Sequence, residues 1–389
     1  MKEKFLRELA DIQTGPFGSQ LHKEDYVADG TPIVTVEHLG NKMFSEQNLP
    51  RVSNTDKNRL KKYVLKQGDI VFSRVGSVDR CSYVDQKHDG WMFSGRCLRV
   101  RPTSEIDSEY LYYYFCLEET KQFVRNISVG ATMPSINTKL LGEVVVTFPE
   151  LEQQKRISGI LSAIDSKIEV NQKINDNLQQ QAFAFFDRLM IEADNDDCIV
   201  SDYADLNPRR VLAKHQIARS IDMSQLSTSG AFPSGWEMKP FNGGMRFANG
   251  DTLLARITPC LENGKTAFID FLDEGEVAFG STEYIVLAPR KNVPSEMLYC
   301  LARYPAFVDY AVKNMNGSSG RQRVSAETIG QFRLPKFDEQ SLLKFGEAVK
   351  PMFLKMRYNS LENIRLAELR DALLPKLMSG ELDVSAVEL

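Results

Sequence analysis

The sequence predicts an α+β fold: two similar mixed α/β domains separated by two long antiparallel helices in a coiled coil, related by an internal pseudo-two-fold repeat. Three pairs of matching segments indicate the repeat: Gly68–Arg74 returns as Gly250–Arg256, Ser108–Tyr112 as Ser295–Tyr299, and Arg188–Met190 as Lys376–Met378. The second segments begin 182, 187 and 188 residues after the first. Solenoid repeats are only about 20–50 residues long, so this spacing indicates a duplicated domain with its connector.

Each copy begins with a strand-rich domain. Short β-branched or aromatic runs such as Ile33–Val36 and Ile70–Phe72 are bounded by turn residues, as is typical of strands. Residues 191–206 contain six Asp or Glu and no Lys or Arg, which favours a linker between the copies. The predicted boundaries are residues 1–149 for the first domain, 150–190 for the first spacer helix, 191–206 for the acidic linker, 207–335 for the second domain, 336–382 for the second spacer helix and 383–389 for a tail.

The two spacer helices share a heptad pattern of apolar residues. In the first helix it runs from Ile157 to Leu189, with Phe185 among the apolar positions, and the same positions 188 residues later are mostly apolar as well. Polar residues interrupt the pattern at matching places: Asn171 and Asn175 in the first helix, Asn359 and Asn363 in the second. A buried Asn fixes the register of a coiled coil, which favours packing of the two helices on each other. The alternative is that each helix packs only on its own domain.

Two prolines fall inside the second helix. We expect Pro351 to kink or interrupt it near its start, and Pro375 to do so near its end, because proline lacks the backbone donor that a helix uses. Gly380 is then suited to end the helix.

Composition excludes several classes of protein. The chain has 389 residues, 42% of them apolar and 26% charged, as in ordinary globular proteins. It lacks an apolar stretch of membrane-spanning length and a signal-peptide region, so we expect a cytoplasmic protein. The six cysteines and four histidines are scattered, and we expect no metal site.

Known catalytic patterns are also missing. Gly264–Thr266 resembles the end of a phosphate-binding loop, but the glycine required five positions earlier is Pro259. No residues in the sequence have the spacing of a catalytic triad or of a glycine-rich cofactor loop. We therefore expect a chain with no catalytic residues and no cofactor of its own.

The net charge of −4 is unevenly distributed. Residues 57–101 contain eleven Lys or Arg and four Asp, interleaved with aromatic residues such as Tyr63 and Trp91. This pattern is compatible with a solvated face and with a DNA-facing surface, and it does not decide between them. The candidate DNA-binding residues are Arg74, Arg80, Lys87 and Arg96 in the first copy, and Arg256, Lys265, Arg321, Gln322 and Arg323 in the second. Arg74 and Arg256 share a repeat position after Gly-Asp, so both could instead be structural partners of the aspartate.

Four segments carry a resemblance to a known family, the specificity subunits of Type I restriction–modification enzymes. Ile12–Ser19 resembles the start of the family's first target-recognition domain, Phe148–Ile157 the entry into its central helix, Leu334–Gln340 a weaker second copy of that entry, and Leu373–Leu382 its usual close. The resemblance spans nearly the whole chain, and the entry and close are fairly specific together.

The resemblance implies a non-catalytic subunit that recognises double-stranded DNA. Each target-recognition domain would read one half of a split site, and the helix pair would set the gap. Two methyltransferase subunits that use S-adenosylmethionine and restriction subunits that use ATP and Mg²⁺ would be its partners. The alternatives are a stand-alone DNA-binding protein, such as a regulator or a restriction decoy, and a self-sufficient nuclease or methyltransferase.

Overall fold

The computed structural model describes residues 1–40, 42–318 and 320–384, which form two compact units. Unit 1 consists of Met1–Ser166 and Ala367–Leu389, and unit 2 of Lys167–Leu366. Both boundaries fall inside the long helices, whereas the sequence placed them at the ends of those helices. The difference arises because each domain packs on parts of both helices. Residues 385–389 of the predicted tail lie outside the described residues.

The described residues contain eleven α-helices. They are α1 Leu6–Leu9, α2 Asn54–Arg59, α3 Ser108–Cys116, α4 Glu118–Asn126, α5 Thr138–Leu141, α6 Leu151–Glu192, α7 Val200–Tyr203, α8 Ser295–Arg303, α9 Pro305–Lys313, α10 Ala326–Gly330 and α11 Glu339–Ser379.

The same residues contain twenty strands. They are β1 Lys2–Phe5, β2 Ala10–Thr14, β3 Tyr26–Val27, β4 Thr31–Val34, β5 Arg51–Val52, β6 Ile70–Ser73, β7 Cys81–Tyr83, β8 Met92–Phe93, β9 Cys97–Pro102, β10 Val145–Phe148, β11 Asp194–Ile199, β12 Ala204–Leu206, β13 Ile217–Ile221, β14 Glu237–Pro240, β15 Met245–Phe247, β16 Thr252–Ala255, β17 Thr266–Phe268, β18 Ala278–Gly280, β19 Tyr284–Pro289 and β20 Arg333–Lys336.

The strand order confirms the duplication. In unit 1 one sheet has the order β2-β9-β6-β7, and in unit 2 the matching sheet has the order β12-β19-β16-β17. A second sheet in each unit contains one parallel pair, β4 with β8 and β13 with β18. A two-stranded sheet precedes each long helix in the chain, β1 with β10 and β11 with β20. The two units are therefore copies of one α+β topology.

The core of unit 1 includes residues from both long helices. Ile157 and Leu161 of α6 and Leu377 of α11 lie in one apolar cluster with Tyr110 and Leu111 of α3. Burial of an aliphatic side chain of this kind stabilises a fold by roughly 1.5–3 kcal/mol. The first α/β domain and the adjoining helix segments thus form one core.

Unit 2 is built in the same way. Ala182 and Phe186 of α6 and Phe345 of α11 pack with Tyr299 of α8 in its main cluster. The heptad pattern had placed Phe185 on the buried side, but that side chain is 39% exposed whereas Phe186 is 1% exposed. The expectation for Phe185 is wrong because the ring of Phe186 packs edge-on against Phe345 and Tyr304, which shifts the buried face by one residue.

Residues 191–206 do not form the linker that their acidity predicted. They contain β11, α7 and β12, and Val200, Tyr203 and Ala204 are buried in the main core of unit 2. Pairing of β11 with β20 satisfies the backbone groups of this segment. The segment is therefore part of the second domain.

Helix α11 continues through both prolines, so the expected interruption at Pro351 and Pro375 is not observed. Each proline removes one backbone donor and lies on an exposed position. Val349 and Phe353 are buried on either side of Pro351, and this packing holds the helix. The helix ends at Ser379, and Gly380 follows with a φ of +77°, as expected.

Candidate nucleic-acid interface

In unit 1, three loops meet beside β6. They are the loop that begins at Arg74, the loop before β9 that contains Arg96, and the loop between α4 and α5 that ends at Ile136. The backbone N–H of Arg74 donates to the carbonyl of Arg96 at 2.8 Å, and the N–H of Ile136 donates to the carbonyl of Arg74 at 2.9 Å. The N–H of Gly76 donates to the carbonyl of Pro134 at 2.9 Å. These bonds join the three loops into one surface.

Unit 2 repeats this arrangement. The N–H of Arg256 donates to the carbonyl of Glu283 at 3.0 Å, and the N–H of Val324 donates to the carbonyl of Arg256 at 3.0 Å. The N–H of Thr258 donates to the carbonyl of Gln322 at 3.1 Å. The two loop clusters are therefore structurally equivalent, with Arg74 and Arg256 at the same position.

Neither arginine is the partner of the preceding aspartate. Asp69 accepts hydrogen bonds from Arg101 at 2.7 and 2.6 Å, and Asp251 forms its ion pair with Arg210. The alternative that Arg74 and Arg256 serve these aspartates is therefore wrong, because other arginines occupy that place.

The guanidinium of Arg74 lies over the ring of Phe17, 5.9 Å from its centroid, and donates to the carbonyl of Gly95 at 3.1 Å. Phe17 is 61% exposed. An exposed aromatic ring beside an arginine offers a stacking surface for a base. The prediction of DNA-binding residues did not include Phe17, although it lies in the segment Ile12–Ser19 that carried the family resemblance.

Several predicted DNA-binding residues bind other parts of the protein. Arg80 donates to the carbonyl of Leu39, and Lys87 pairs with Glu46. Lys265 donates to the carbonyl of Met223 at 2.7 Å. These contacts occupy donors that a nucleic acid would otherwise use, so these three side chains are also structural.

The remaining candidates lie on the loop clusters. Arg96 and Arg321 are exposed, and neither guanidinium has a protein partner within the described ranges. Gln322 is half-buried, and Arg323 is bound to Glu283. Ser319, in the predicted turn before Arg321, lies outside the described residues. Arg96 and Arg321 are thus the candidates most available to DNA.

The basic window 57–101 is not a single free surface. Four of its eleven basic residues form ion pairs with carboxylates: Arg59 with Asp56, Lys87 with Glu46, Arg99 with Asp11 and Arg101 with Asp69. The charge that is available to a nucleic acid is therefore lower than the composition of the window indicates.

The four predicted register residues form two hydrogen-bonded pairs in unit 2. Asn171 donates to Oδ1 of Asn363 at 2.8 Å, and Asn359 donates to Oδ1 of Asn175 at 2.8 Å. Asn171 and Asn359 are each 1% exposed. These pairs show that α6 and α11 contact each other and run antiparallel.

Charged groups flank the Asn171–Asn363 pair. Asn171 also donates to Glu362 at 2.7 Å, and Lys167 pairs with Glu362 at 3.3 Å. The hydrogen bond from Asn171, followed by the Lys167 ammonium, lowers the pKa of Glu362. The carboxylate therefore stays ionised beside the asparagines.

Within the described part of the chain, no three His, Cys, Asp or Glu side chains lie together in a way that could hold a metal ion. No helix among the described residues is both long enough and apolar enough to span a membrane.

Comparison with known proteins agrees with this architecture. Residues 1–180 match the family model described as the Type I restriction modification DNA specificity domain. The HindI specificity subunit of Haemophilus influenzae is 23% identical, and the match covers 82% of this chain and 88% of that protein. The MjaIX specificity subunit of Methanocaldococcus jannaschii is 25% identical over 73% of this chain and 71% of that protein.

The fold has a similar solved structure. The S subunit of a Type I restriction–modification system from M. genitalium superposes with a TM-score of 0.56 at 18% identity, covering 97% of this chain and 95% of that one. Two copies of one α+β domain with a pair of long helices define a duplicated two-domain protein. Residues 1–180 of this chain thus match the Type I restriction modification DNA specificity domain, and most of the chain is similar to Type I specificity subunits.

Proposed function

We propose that this chain is the sequence-specific DNA-recognition subunit of a Type I restriction–modification complex. The observation that supports this most directly is the pair of equivalent loop clusters, one around Arg74 and one around Arg256, each joined by the same backbone hydrogen bonds. Arginine side chains on such loops can donate to guanine or to phosphate. Because the clusters differ in side chains, each recognition domain reads a different half of a split site.

The helix pair sets the gap between the two halves. Helices α6 and α11 have 42 and 41 residues, which corresponds to roughly 60 Å at ~1.5 Å per residue. The two asparagine pairs fix how the helices align, because a shift of one heptad that brought Asn171 opposite Met356 would also bring Asn359 opposite Ile168 and leave both amides beside apolar side chains. A fixed alignment gives a fixed number of unread base pairs.

The chain itself carries out no reaction. Two methyltransferase subunits bind it and supply S-adenosylmethionine chemistry, and restriction subunits supply ATP- and Mg²⁺-dependent cleavage. This assignment rests on the similarity of the chain to Type I specificity subunits.

Modified-base sequencing of host DNA tests the proposal. We expect one methylated split motif with two constant half-sites and a constant gap, which disappears when this chain is deleted. Co-expression should yield a complex with two methyltransferase copies per chain. A chain that purifies alone and represses or binds a continuous site would instead support a stand-alone DNA-binding protein. Turnover by the isolated chain with S-adenosylmethionine or Mg²⁺ would support an enzyme.

A further inference from the structure

The two loop clusters differ at two of three equivalent positions. Backbone bonds equate Arg74 with Arg256, and Arg96 with Glu283. The third equivalent pair is Ser135 and Arg323. Ser135 exchanges backbone hydrogen bonds with Val129, and Arg323 exchanges the same two bonds with Asn316. Unit 1 therefore presents Arg, Arg and Ser where unit 2 presents Arg, Glu and Arg. The acidic residue in the second cluster is the unexpected one, because DNA phosphates repel carboxylates.

Glu283 forms a two-pronged ion pair with Arg323. Nε of Arg323 donates to Oε1 at 3.0 Å and to Oε2 at 2.9 Å, and Nη2 donates to Oε1 at 2.7 Å. The Arg323 hydrogen bond, and then its charge and that of Arg256, lower the pKa of the Glu283 carboxyl. The Arg323 side chain remains 39% exposed. The pair thus fixes the guanidinium while leaving part of it at the surface.

The unused donors of Arg323 lie on the terminal nitrogens. A guanidinium has five N–H groups. Glu283 takes the Nε hydrogen and one Nη2 hydrogen, and the carbonyl of Arg321 accepts from Nη1 at 3.2 Å. One hydrogen therefore remains on each of Nη1 and Nη2. Two donors on adjacent terminal nitrogens are the group that reads O6 and N7 of guanine bidentately.

The backbone around this pair is also held. The N–H of Glu283 donates to Oγ of Ser281 at 3.1 Å, and Glu283 accepts from the N–H of Arg256 through its carbonyl. Glu283 immediately precedes β19, a buried strand of the main sheet. A carboxylate on such a support restricts the rotamers of a long arginine side chain, which lowers the entropy lost on binding.

We propose that Glu283 is a positioning residue of the second recognition domain, which holds Arg323 for bidentate contact with a guanine in the second half-site. The inference rests on the proposed function and extends it to one residue and one base. The first domain has Arg96 in place of Glu283, so neither Arg74 nor Arg96 is held by a carboxylate within the described residues.

The test uses the full chain in complex with its methyltransferase partners. Duplexes carry the mapped split site, with each base pair of both half-sites changed in turn, and dissociation constants are measured at several salt concentrations. Glu283→Gln should reduce discrimination at one G·C pair of the second half-site about tenfold, a change of about 1.4 kcal/mol within the range for one bidentate contact. Discrimination across the first half-site should not change. Arg323→Ala should remove discrimination at the same G·C pair.

Three further variants separate positioning from a general structural role. If Glu283 acts through Arg323, the double variant should discriminate no worse than Arg323→Ala alone. Glu283→Asp should restore part of the loss. Asp205→Asn is the matched control, because Asp205 also pairs with an arginine of unit 2, Arg290, which follows β19 at the end opposite to Glu283. It should leave discrimination unchanged.

The possible results decide the proposal. Three results would each overturn it. They are unchanged discrimination in Glu283→Gln, additive losses of discrimination in the double variant, and a loss at both half-sites that Asp205→Asn causes equally. A response at an A·T pair instead would overturn the assignment of guanine. Failure of the proposed function is a different result, because the wild-type complex would then not recognise a split site at all.

Discussion

The side chain of Asn359 donates to that of Asn175 at 2.8 Å, and that of Asn171 donates to that of Asn363 at the same distance. The two donors are 188 residues apart in the repeat, and so are the two acceptors. Two longer hydrogen bonds are related by the same spacing of 188 residues: Asn175 donates to the carbonyl of Met356 at 3.3 Å, and Asn363 donates to that of Ile168 at 3.4 Å. The helix pair of unit 2 therefore has its own two-fold symmetry.

Replacement of one asparagine should destabilise the helix pair. In Asn359→Leu, Oδ1 of Asn175 loses the donor of Asn359, whereas its Nδ2 keeps Ser360 and the carbonyl of Met356. The unpaired oxygen beside a leucine should lower the free energy of unfolding by about 1–3 kcal/mol. The double change Asn175→Leu with Asn359→Leu removes both amides and should lose less than the single change. Urea denaturation measures both. A double variant that is less stable than the sum of the two single variants would contradict this account of the pair.

Shortening both helices together should shorten the gap in the recognised site. Deletion of 168–174 with 360–366 removes one heptad from each helix, including Asn171 and Asn363, and retains the pair Asn175–Asn359. Seven residues span ~10 Å, which corresponds to about three base pairs. Modified-base sequencing should return the same two half-sites with a shorter gap. Altered letters within either half-site would show that the helices do not act as a spacer.

Arg96 and Arg80 should give different phenotypes. Arg96 is exposed on the loop cluster of unit 1, so Arg96→Ala should weaken DNA binding by about 1–3 kcal/mol if it contacts a base, with little change in thermal stability. Arg80 donates to the carbonyl of Leu39, so Arg80→Ala should lower stability by about 1 kcal/mol. Binding titrations and thermal unfolding of both variants measure the two effects. Arg7→Ala is a control for the loss of one positive charge, since Arg7 lies on α1, outside the three loops. If Arg7→Ala and Arg96→Ala weaken DNA binding equally, Arg96 contributes only its charge and does not contact a base.

The stability of unit 2 should depend on the ionisation of Asp251. Burial raises the pKa of this carboxyl from 3.8 to about 6, in spite of the nearby Arg210. The folded state therefore keeps the proton to higher pH than the unfolded chain does. Because the folded state binds more protons in this window, the contribution of Asp251 to stability is greatest below pH 3.8 and falls as the pH rises to about 6. The slope is at most about 1.4 kcal/mol per pH unit.

Comparison of the wild type with Asp251→Asn isolates this contribution. The difference in unfolding free energy between the two proteins should change in favour of the variant between pH 4 and pH 6, and should be constant above pH 7. Chemical denaturation at several pH values measures it, with Asp205→Asn as the exposed control. A difference that is flat across the whole range would show that Asp251 is already ionised at pH 4.

The sequence was sufficient to predict those features that depend on repeated local patterns. The asparagine pairs could be found because both helices have the same polar positions 188 residues apart. Pairing of β11 with β20 could not, since it joins residues more than a hundred positions apart and the acidity of 191–206 favoured solvent. The change from Phe185 to Phe186 depends on Tyr304 and Phe345, whose positions come from the tertiary fold.

In the candidate site, too, local sequence patterns could be recognised, whereas contacts between distant residues could not. The basic residues Arg74, Arg256 and Arg323 could be chosen from the sequence, and they lie on the two equivalent loop clusters. The sequence could not separate Arg96 from Arg80, because the partner of Arg80 is a backbone carbonyl 41 positions away. It also could not find Glu283, because an acidic side chain near DNA is meaningful only once its ion pair with Arg323 is known.

Unit 1 is made of two segments that are far apart in the sequence, and this affects how it folds during biosynthesis. Leu374, Leu377 and Met378 are buried in the same cluster as Leu6 and Leu9. During translation the ribosome releases the amino-terminal domain long before it makes those late side chains, whereas everything that unit 2 requires is contiguous from Lys167 to Leu366. The amino-terminal part of unit 1 is therefore completed only after unit 2 has been made, and a stop codon before that of Leu374 would leave its core without Leu374, Leu377 and Met378.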